Sequence, residues 1–326
     1  MKAVYIKEFG EVENLSLLEV QDVHEPVSDE VRVRVKAAGL NRADILQRLG
    51  RYPAPQGSPE RIPGLEFSGV IEALGESVES FSIGDRVMGI VPGGAQAELL
   101  KTRATLLSRI PDRLSFEDAA AVPEAFVTAF DALILQAGLE SGESVLIHAV
   151  GSGVGLAAAQ IAGVLGANVY GTSRSAEKLT RMAEFGLEDS FLVADEGRFA
   201  DRIKEICGGM DVILDLVGAR YLKENLDSLK PKGRLMLVGL TGGTKTDLDL
   251  STVLSKRLTL KGTVLRSRTF NEREELTAAF NQRILPLFES GLLRPNVDSI
   301  YPAEQIREAN LRMERNENFG KVIVTF

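Results

Sequence analysis

The chain is poor in the residues that build disulfides and metal sites. Its 326 residues include one cysteine, Cys207, and two histidines, His24 and His148. A single cysteine excludes an internal disulfide, and with only two histidines it also excludes a cysteine-rich metal site. Two glycines follow Cys207, so we predict that it packs at the end of a helix. We expect no bound metal.

Blocks of one charge and long apolar runs are also absent. The net charge of -8 comes from acidic and basic residues that are mixed along the chain. Without a basic stripe, the chain lacks the electrostatic footprint of a nucleic-acid-binding protein. The first residues, MKAVYIKEFG, contain no apolar signal region, and no stretch approaches the length that spans a bilayer. We expect a cytoplasmic protein without a nucleic-acid or membrane partner.

The pattern of the chain changes near residue 120. Before it, short alternating segments such as VRVRVKAAGL lie between glycines, which predicts a small β-rich domain at residues 1–120. After it, apolar strands alternate with helical segments. The strands are SVLIH, NVYGTS, SFLV, DVILDLV, GRLMLVG and LTLKGTVL. Such strands predict a parallel sheet covered on both faces, so we expect an α/β chain with a doubly wound domain at residues 121–265.

The tail after residue 265 contains one helical pattern and one strand pattern. The helical pattern is REELTAAFNQRILPLFESG, and the chain finishes in the strand-like GKVIVTF. A terminal strand of this kind can return to the first domain. We therefore predict that residues 266–326 complete the first domain, which would be discontinuous.

The segment HAVGSGVG lies between the first strand of the second domain and a helix of small residues. Its glycines are Gly151, Gly153 and Gly155, whereas the general G-x-G-x-x-G fingerprint needs a glycine where Leu156 stands. The position still suits a phosphate, because amides at a helix start point towards it and glycine allows close approach. We predict a dinucleotide-binding loop, and a plain strand-to-helix turn is the alternative.

The end of the next strand indicates which dinucleotide is bound. NAD sites usually carry Asp or Glu about 20 residues after the first glycine, to bind the ribose 2′-hydroxyl. Here that region reads GTSR, and it contains no acid. Ser173 and Arg174 can bind a 2′-phosphate, and Lys178 follows where a cation opposes the helix dipole unless an anion lies nearby. We predict NADP(H); the alternative is that Arg174 and Lys178 are ordinary surface charges.

Seven segments spread along the chain match one known family. They are GLNRADILQRLGRYP, PGLEFSGVIEALG, GDRVMGIVPGGAQAE, PEAFVTAFDAL, HAVGSGVG, LRSR and NFGKVIV. In these segments the chain resembles the zinc-independent quinone oxidoreductase branch of the medium-chain dehydrogenase/reductases, especially its p53-inducible subgroup. The resemblance implies a GroES-like catalytic domain, a Rossmann domain and a homodimer. The family's loop is A-x-x-G-G-V-G, so Ser152 takes the place of its first glycine.

The resemblance also bears on the metal and the substrate. Zinc-dependent relatives carry a ligand cysteine and a G-H-E histidine, where this chain has Asn41 and Leu65. These residues cannot hold zinc, which disfavours an alcohol substrate that needs Lewis-acid activation. The resemblance implies an NADPH-dependent reductase that transfers hydride to a quinone or similar conjugated carbonyl. Asn41 and Tyr52 would line the substrate cleft.

Tyr52 leaves other functions open. The spacing of Asn41, Asp44, Gly50 and Tyr52 also resembles enoyl-thioester reductases, where the tyrosine assists protonation. One alternative is therefore an NADPH-dependent enoyl or alkenal reductase with Tyr52 as proton donor. Another is a largely non-catalytic NADPH-binding protein, like the lens crystallin relatives of this family. Tyr52 can also be an aromatic residue that packs the turn before Pro53.

The resemblance assigns further residues to the site. Thr128 would contact the substrate, although a hydrogen bond within its own helix is the alternative. The residues expected at the cofactor, besides Ser173, Arg174 and Lys178, are Ser152, Gly153, Val154, Gly239, Leu265, Arg266 and Asn318.

Three positions depart from the family pattern, and one pair is expected to be structural. Leu192 and Val193 replace an Asn-Tyr pair whose tyrosine packs on the adenine ribose, so apolar packing would replace that contact. Phe130 replaces a tyrosine and lacks its hydroxyl. We expect Asp44 and Arg48 to pair one helical turn apart.

Overall fold

The computed structural model describes residues 1–193 and 198–326, which divide into two compact units. Unit 1 contains Met1–Val127 and Arg266–Phe326, and unit 2 contains Thr128–Leu265. The boundary suggested by the sequence lies between residues 120 and 121, and the division by contacts lies between Val127 and Thr128. Within the described ranges, no helix combines the length and the apolar character needed to cross a membrane.

The elements are numbered in chain order. The strands are β1 (Lys2–Ile6), β2 (Leu15–Glu19), β3 (Glu30–Gly39), β4 (Glu66–Leu74), β5 (Arg86–Ile90), β6 (Leu99–Arg103), β7 (Leu107–Arg109), β8 (Ser144–Ile147), β9 (Asn168–Ser173), β10 (Asp189–Leu192), β11 (Met210–Asp215), β12 (Leu229–Leu237), β13 (Thr259–Gly262), β14 (Val297–Pro302) and β15 (Lys321–Thr325). The helices are α1 (Arg42–Arg48), α2 (Phe116–Ala120), α3 (Pro123–Phe130), α4 (Gly153–Leu165), α5 (Ala176–Arg181), α6 (Ala200–Cys207), α7 (Leu222–Ser228), α8 (Leu250–Lys256), α9 (Phe270–Arg283), α10 (Leu285–Glu289) and α11 (Ile306–Glu314). A π-helix, Asp131–Gln136, follows α3.

Unit 1 is built around a sheet in the order β14-β15-β3-β4-β5-β7, with β6 also paired to β3. The valines of VRVRV, at positions 31, 33 and 35, are buried and alternate with partly or fully exposed residues. This period of two places one face of β3 in the core. The terminal strand β15 pairs antiparallel with β3, so that Ile323 lies opposite Gly39. The predicted return of the terminal strand is confirmed.

Unit 2 contains a six-stranded parallel sheet in the order β10-β9-β8-β11-β12-β13. Counted from its own first strand, this is the order 3-2-1-4-5-6 of a doubly wound dinucleotide-binding fold. The six strands predicted from apolar runs are all present. Cys207 ends α6, and its thiol donates to the carbonyl of Ile203, as expected for a residue at a helix end.

Two helices differ from the sequence pattern. The helix α8 was not predicted because its side chains show no buried stripe: Leu250 and Leu254 are 68% and 81% exposed. The long helical pattern of the tail is divided into α9 and α10. Pro286, near the start of α10, has no N–H with which to continue the first helix.

The expected pair between Asp44 and Arg48 is wrong. The Asp44 carboxylate turns back to the start of its own helix, where it accepts the N–H of Asn41 at 2.8 Å and that of Gly64 at 3.0 Å. Arg48 donates instead to Glu314, with Nη2 and Oε2 2.9 Å apart. The capping position of Asp44 decides its direction, since a helix start offers unpaired amide donors.

A buried polar chain fixes the ends of three strands of unit 2. The His148 ring, just after β8, lies 2.8 Å from Thr172 Oγ1 of β9 and 2.6 Å from Asn225 Oδ1. Asn225 Nδ2 donates to Asp215 of β11 at 2.9 Å. Its oxygen therefore accepts from the ring, so Nε2 carries the hydrogen and Nδ1 accepts the threonine hydroxyl. Burial lowers the pKa of His148, which favours this neutral form.

The first turn of α4 lies very close to the loop that precedes it. An added Cβ at Gly155 would be 2.6 Å from the carbonyl oxygen of Val150 and 2.7 Å from that of Ala149. The Ser152 hydroxyl caps this turn by accepting the Gly155 N–H at 3.1 Å. A side chain at position 155 would therefore push the helix away from its loop. Gly163, in the same helix, has nothing within 4 Å of an added Cβ.

These two glycines form a matched test of the loop. Gly155→Ala is expected to reduce the free energy of unfolding by about 1–3 kcal/mol, because the methyl group overlaps backbone atoms. Gly163→Ala makes the same change in open space and is expected to raise it by up to about 1 kcal/mol, through helix propensity. Urea unfolding followed by circular dichroism measures both. Equal effects of the two substitutions would contradict the close approach at Gly155.

Candidate active site

A buried ion pair lies at the centre of the polar cluster in unit 1. Lys321, the first residue of β15, donates to the carboxylate of Glu66, the first residue of β4. The same ammonium donates to the carbonyl of Leu40 and to Asn41 Oδ1, both at 2.8 Å. These contacts use all three N–H groups of the lysine. Lys321 is 4% exposed and Glu66 is fully buried.

Asn41 connects both members of this pair. It stands between β3 and α1, and its Nδ2 donates to Glu66 Oε1 at 2.8 Å while its Oδ1 accepts from Lys321. Gly39, two residues before it, makes room for this arrangement, because an added Cβ would overlap the Glu66 carboxylate and lie 2.7 Å from the carbonyl of Ala120. Asn41 is thus a fixed member of the cluster.

The other carboxylate oxygen of Glu66 is bound at the start of α3. Its Oε2 accepts the backbone N–H of Glu124 at 2.8 Å. A negative charge is favourable at this end of a helix, where amide groups have no partner within the helix. Glu66 therefore accepts from Lys321, from Asn41 and from the first turn of α3.

Two further carboxyl groups share this buried region. Burial raises the pKa of Asp44 to about 6, although the N–H groups of Asn41 and Gly64 oppose the shift. Burial, followed by the negative charge of Glu66, raises the pKa of Glu124 to about 8. Of the two Glu124 oxygens, Oε2 is buried without a hydrogen-bond partner among the described residues.

Arg266 positions the segment that carries Tyr52. Its guanidinium lies over the Tyr52 ring, 4.8 Å from the centroid, and Nη1 donates to the Tyr52 carbonyl at 3.3 Å. Further hydrogen bonds run to Gln47 Oε1 at 2.7 Å and to the carbonyl of Pro92 at 2.8 Å. Burial raises the pKa of Tyr52, which keeps the phenol protonated at neutral pH. A cofactor contact of Arg266 remains a prediction, and the observed role of its guanidinium is to hold this loop.

Unit 1 thus brings predicted residues together with others that sequence reasoning missed. Asn41 contacts Glu66 and Lys321, and Glu124 interacts electrostatically with both of these and with Tyr52. The sequence does carry a signal for Glu66 and Lys321: each is a charged residue at the start of an otherwise apolar strand, EFSGVI and KVIV. In the described parts of the chain, no three His, Cys, Asp or Glu side chains form a group that could hold a metal ion.

In unit 2, the residues predicted at the phosphates lie at one strand-to-helix junction. Ser152 is the N-cap of α4, and Gly153 and Val154 form its first turn. Beyond β9, the Ser173 hydroxyl accepts the Ser175 N–H at 3.1 Å. Arg174 is exposed and Lys178 is partly buried in the first turn of α5.

The remaining predicted residues lie at separate places. Gly239 comes two residues after β12, and a Cβ there would be 2.9 Å from the carbonyl of Leu216. Thr128 is buried in α3, and Asn318 Nδ2 donates to the carbonyl of Gly320 at 2.7 Å. The roles of these residues at a substrate or cofactor remain predictions.

The departures from the family pattern have different environments. Leu192, the last residue of β10, is 52% exposed, whereas Val193 and Phe130 are buried. Leu265, also predicted at the cofactor, is buried as well. Leu192 is therefore the more accessible residue of the Leu-Val pair.

Comparison with known proteins identifies both domains. Residues 27–112 match the family described as alcohol dehydrogenase GroES-like domain, and residues 153–282 match the one described as zinc-binding dehydrogenase. The chain is 33% identical to the quinone oxidoreductase of Lama guanicoe, over 99% of this chain and 97% of that protein. It is also 33% identical to the mouse synaptic vesicle membrane protein VAT-1 homolog-like, over 99% of this chain and 81% of that protein.

Solved structures show the same fold. The Pseudomonas syringae pv. Tomato DC3000 quinone oxidoreductase has a TM-score of 0.88 and 29% identity, and the match covers 100% of this chain and 99% of that one. A mycobacterial protein complexed with NADPH has a TM-score of 0.90 and 27% identity, with all of both chains covered. The JamJ enoyl reductase has a TM-score of 0.88 and 29% identity, over 99% of this chain and 98% of that one.

The matched domains agree with the architecture of the chain: a GroES-like domain and a Rossmann domain with a parallel sheet. The relatives cover almost the whole chain at one-third identity. The protein is therefore an oxidoreductase that belongs to the medium-chain dehydrogenase/reductase superfamily, in its quinone oxidoreductase branch.

Proposed function

We propose that this oxidoreductase reduces quinones or similar conjugated carbonyl compounds with NADPH, without a zinc ion. The observation that carries the proposal is the position of the Lys321 ammonium, which binds the oxygen atoms of Asn41 and Glu66. In zinc-dependent relatives, metal ligands stand at the positions of Asn41 and of Leu65, the neighbour of Glu66. In this chain the oxygen atoms of Asn41 and Glu66 already have a cation, Lys321, as their partner.

The bonding of Lys321 to Asn41 and Glu66 favours an acceptor that is already electrophilic. A divalent metal at the cluster would have to displace a buried ammonium whose three N–H groups are all bonded. The neighbouring side chain, Leu65, offers no ligand atom. Activation of an alcohol by a Lewis acid therefore has no support from these residues, whereas a quinone needs only positioning, hydride and a proton.

The junction between β8 and α4 fits a dinucleotide. Gly155 allows the loop and helix to approach so closely that a Cβ would overlap backbone, and the amides of Ser152, Gly153 and Val154 begin a 13-residue helix. We assign the amides of Gly153 and Val154 and the hydroxyl of Ser152 to the pyrophosphate, because the Ser152 N–H already donates to the Ala149 carbonyl at 2.9 Å. A nicotinamide bound there would supply the hydride. The resemblance adds Gly239 beside the nicotinamide ribose, and Leu265, Arg266 and Asn318 as further residues near the cofactor.

The segment after β9 favours NADPH over NADH. No carboxylate stands in GTSRS, so nothing there matches the acid that binds a free 2′-hydroxyl. Arg174 is exposed. Ser173 comes directly before it in the chain, and Lys178 follows in the first turn of α5. We assign these three side chains to the 2′-phosphate, because guanidinium, ammonium and hydroxyl groups all donate to phosphate oxygens.

A second candidate function is the reduction of an enoyl thioester or alkenal by NADPH. It is favoured by the similarity to the JamJ enoyl reductase and by the protonated phenol of Tyr52. In that reaction a proton must reach carbon, so a positioned donor is needed. In either reaction we assign Asn41, Tyr52 and Thr128 to the substrate, and we expect a homodimer, the commonest form of homo-oligomer.

The 2′-phosphate assignment predicts a selective loss of NADPH binding. Arg174→Ala is expected to raise the Kd for NADPH by about 10- to 100-fold, the value of one charge-assisted hydrogen bond. The Kd for NADH should change less than about threefold. Fluorescence titration measures both, and Arg181→Ala, an exposed arginine at the other end of α5, is the control. An equal loss for the two cofactors would contradict the assignment.

The two reactions can be separated with Tyr52→Phe. NADPH consumption is measured with an ortho-quinone, a para-quinone and a 2-enoyl thioester. We expect the quinones to be the better acceptors and their kcat to fall less than about tenfold, because their reduction does not depend on Tyr52 to protonate a carbon atom.

Tyr5→Phe, also at a partly buried tyrosine of unit 1, is the matched control. If the thioester is the best acceptor and Tyr52→Phe abolishes its reduction, the quinone proposal fails in favour of the enoyl reductase. NADPH binding without reduction of any acceptor would favour a non-catalytic protein.

A further inference from the structure

Among the described residues, Glu124 is the carboxyl group of the cluster that has a buried oxygen, Oε2, without a hydrogen-bond donor. Asp44 accepts two backbone N–H groups, and Glu66 accepts from Lys321, Asn41 and the backbone of Glu124 itself. By contrast, Glu124 Oε2 is buried without a partner in the described ranges. An anion with a buried oxygen that no donor reaches is unfavourable, so this position favours the neutral acid.

The surroundings act in the same direction. Glu66 on β4 and Asp44 on α1 are like charges that disfavour an anion at Glu124. Lys321 on β15 and Arg266 oppose them, but the three N–H groups of the lysine are bonded elsewhere. The hydrogen bonds of Arg266 run to Pro92, Tyr52 and Gln47. A proton on Glu124 thus reduces the electrostatic repulsion among the three carboxyl groups.

Glu124 is also close enough to Tyr52 for its charge to act on the phenol. The phenol interacts electrostatically with Glu124 and with Arg266, whose guanidinium covers its ring. Tyr52 itself is only partly buried, and so is Glu124 as a whole residue. Glu124 therefore interacts electrostatically both with the Glu66–Lys321 pair and with Tyr52, the residue that we assign to the substrate.

We propose that Glu124 is the proton donor of this site: a neutral carboxylic acid that protonates the acceptor oxygen on which negative charge develops. The inference rests on the proposed quinone reduction. The O–H bond of Glu124 breaks and a new O–H bond forms on the acceptor. One hydride, with its electron pair, and this one proton together convert the quinone to the hydroquinone, while the nicotinamide is oxidised. Glu124 then takes a proton from water, favoured by the adjacent charge of Glu66.

The bound proton can be observed without turnover. Infrared spectroscopy of the wild-type protein at pH 7 should show the carbonyl band of a protonated carboxylic acid that disappears with a midpoint near pH 8. Glu124→Gln should lack this titration. Glu79→Gln, the same change at an exposed residue of unit 1, should retain it. A titration near pH 8 that persists in Glu124→Gln would overturn the proposal, whereas that of Asp44, near pH 6, is expected to remain.

The same proton makes stability depend on pH in a stated direction. The pKa of Glu124 is raised from 4.5 to about 8 in the folded protein. The stability that the bound proton gives to the folded state is therefore fully present below about pH 4.5. It is lost as the pH rises towards 8, because the unfolded chain has already released the proton. The unfolding free energy of the wild type, measured relative to that of Glu124→Gln, should therefore fall over this range.

Turnover tests the donor role itself. Glu124→Gln should lower kcat for quinones on the order of 100-fold with little change in KM, and Glu124→Asp should recover part of it. Wild-type kcat should fall above about pH 8, where the acid is deprotonated, and this fall should be missing in Glu124→Gln. The control Glu79→Gln should remain within about twofold of the wild type.

The outcomes separate this inference from the function on which it rests. Full quinone turnover by a folded Glu124→Gln overturns the donor role and leaves the quinone reductase intact. If the wild type reduces no quinone at all, the proposed function fails, and the donor role fails with it even where the infrared titration is present. If Glu124→Gln does not fold, Glu124→Asp decides through its pH profile: an unchanged profile and kcat overturn the proposal.

Discussion

The structure of unit 1 depends on the buried contact between Glu66 and Lys321. These residues begin β4 and β15, the two strands on either side of β3, so the carboxyl-terminal strand is joined to the core by charge as well as by its backbone ladder. Taking two charges out of water costs several kcal/mol, and such a pair is tolerated when the remaining hydrogen bonds are made. Leu40, Asn41 and the first turn of α3 supply them.

Because Lys321 is bonded to Glu66, the two other carboxyl groups of the cluster must reduce their charge in other ways. Three carboxyl groups and one ammonium share a region of low polarity, and each carboxyl group is neutralised in a different way. Glu66 takes the cation and Asp44 takes backbone N–H groups from Asn41 and Gly64. Glu124 has neither, so a proton is the remaining way to reduce its charge. The zinc-independent chemistry and the protonated acid that we propose would thus have one origin, the lysine of β15.

How far the sequence predicts the molecule depends on the distance over which each signal acts. Apolar runs and helical spacing are local, and they predicted the parallel sheet and the return of GKVIVTF. The Glu66–Lys321 contact joins residues 255 positions apart, and no local pattern carries it. The same reason explains the error at Arg48, whose partner Glu314 is 266 positions away. Helix α8 was missed for the opposite reason, since its leucines are exposed and give no apolar stripe.

The loop HAVGSGVG shows why a residue pattern can fail while the local geometry of a strand-to-helix turn is kept. Glycine is needed at position 155, where a Cβ would overlap the carbonyl oxygens of Val150 and Ala149. At position 152 the backbone is extended, with φ of -79°, so serine fits without strain. Its oxygen accepts the Gly155 N–H, which leaves the hydroxyl hydrogen available to a phosphate oxygen. Leu156, where the general fingerprint has its last glycine, is buried instead. The requirement is therefore close approach at one position and a cap at another, and the number of glycines follows from these two needs.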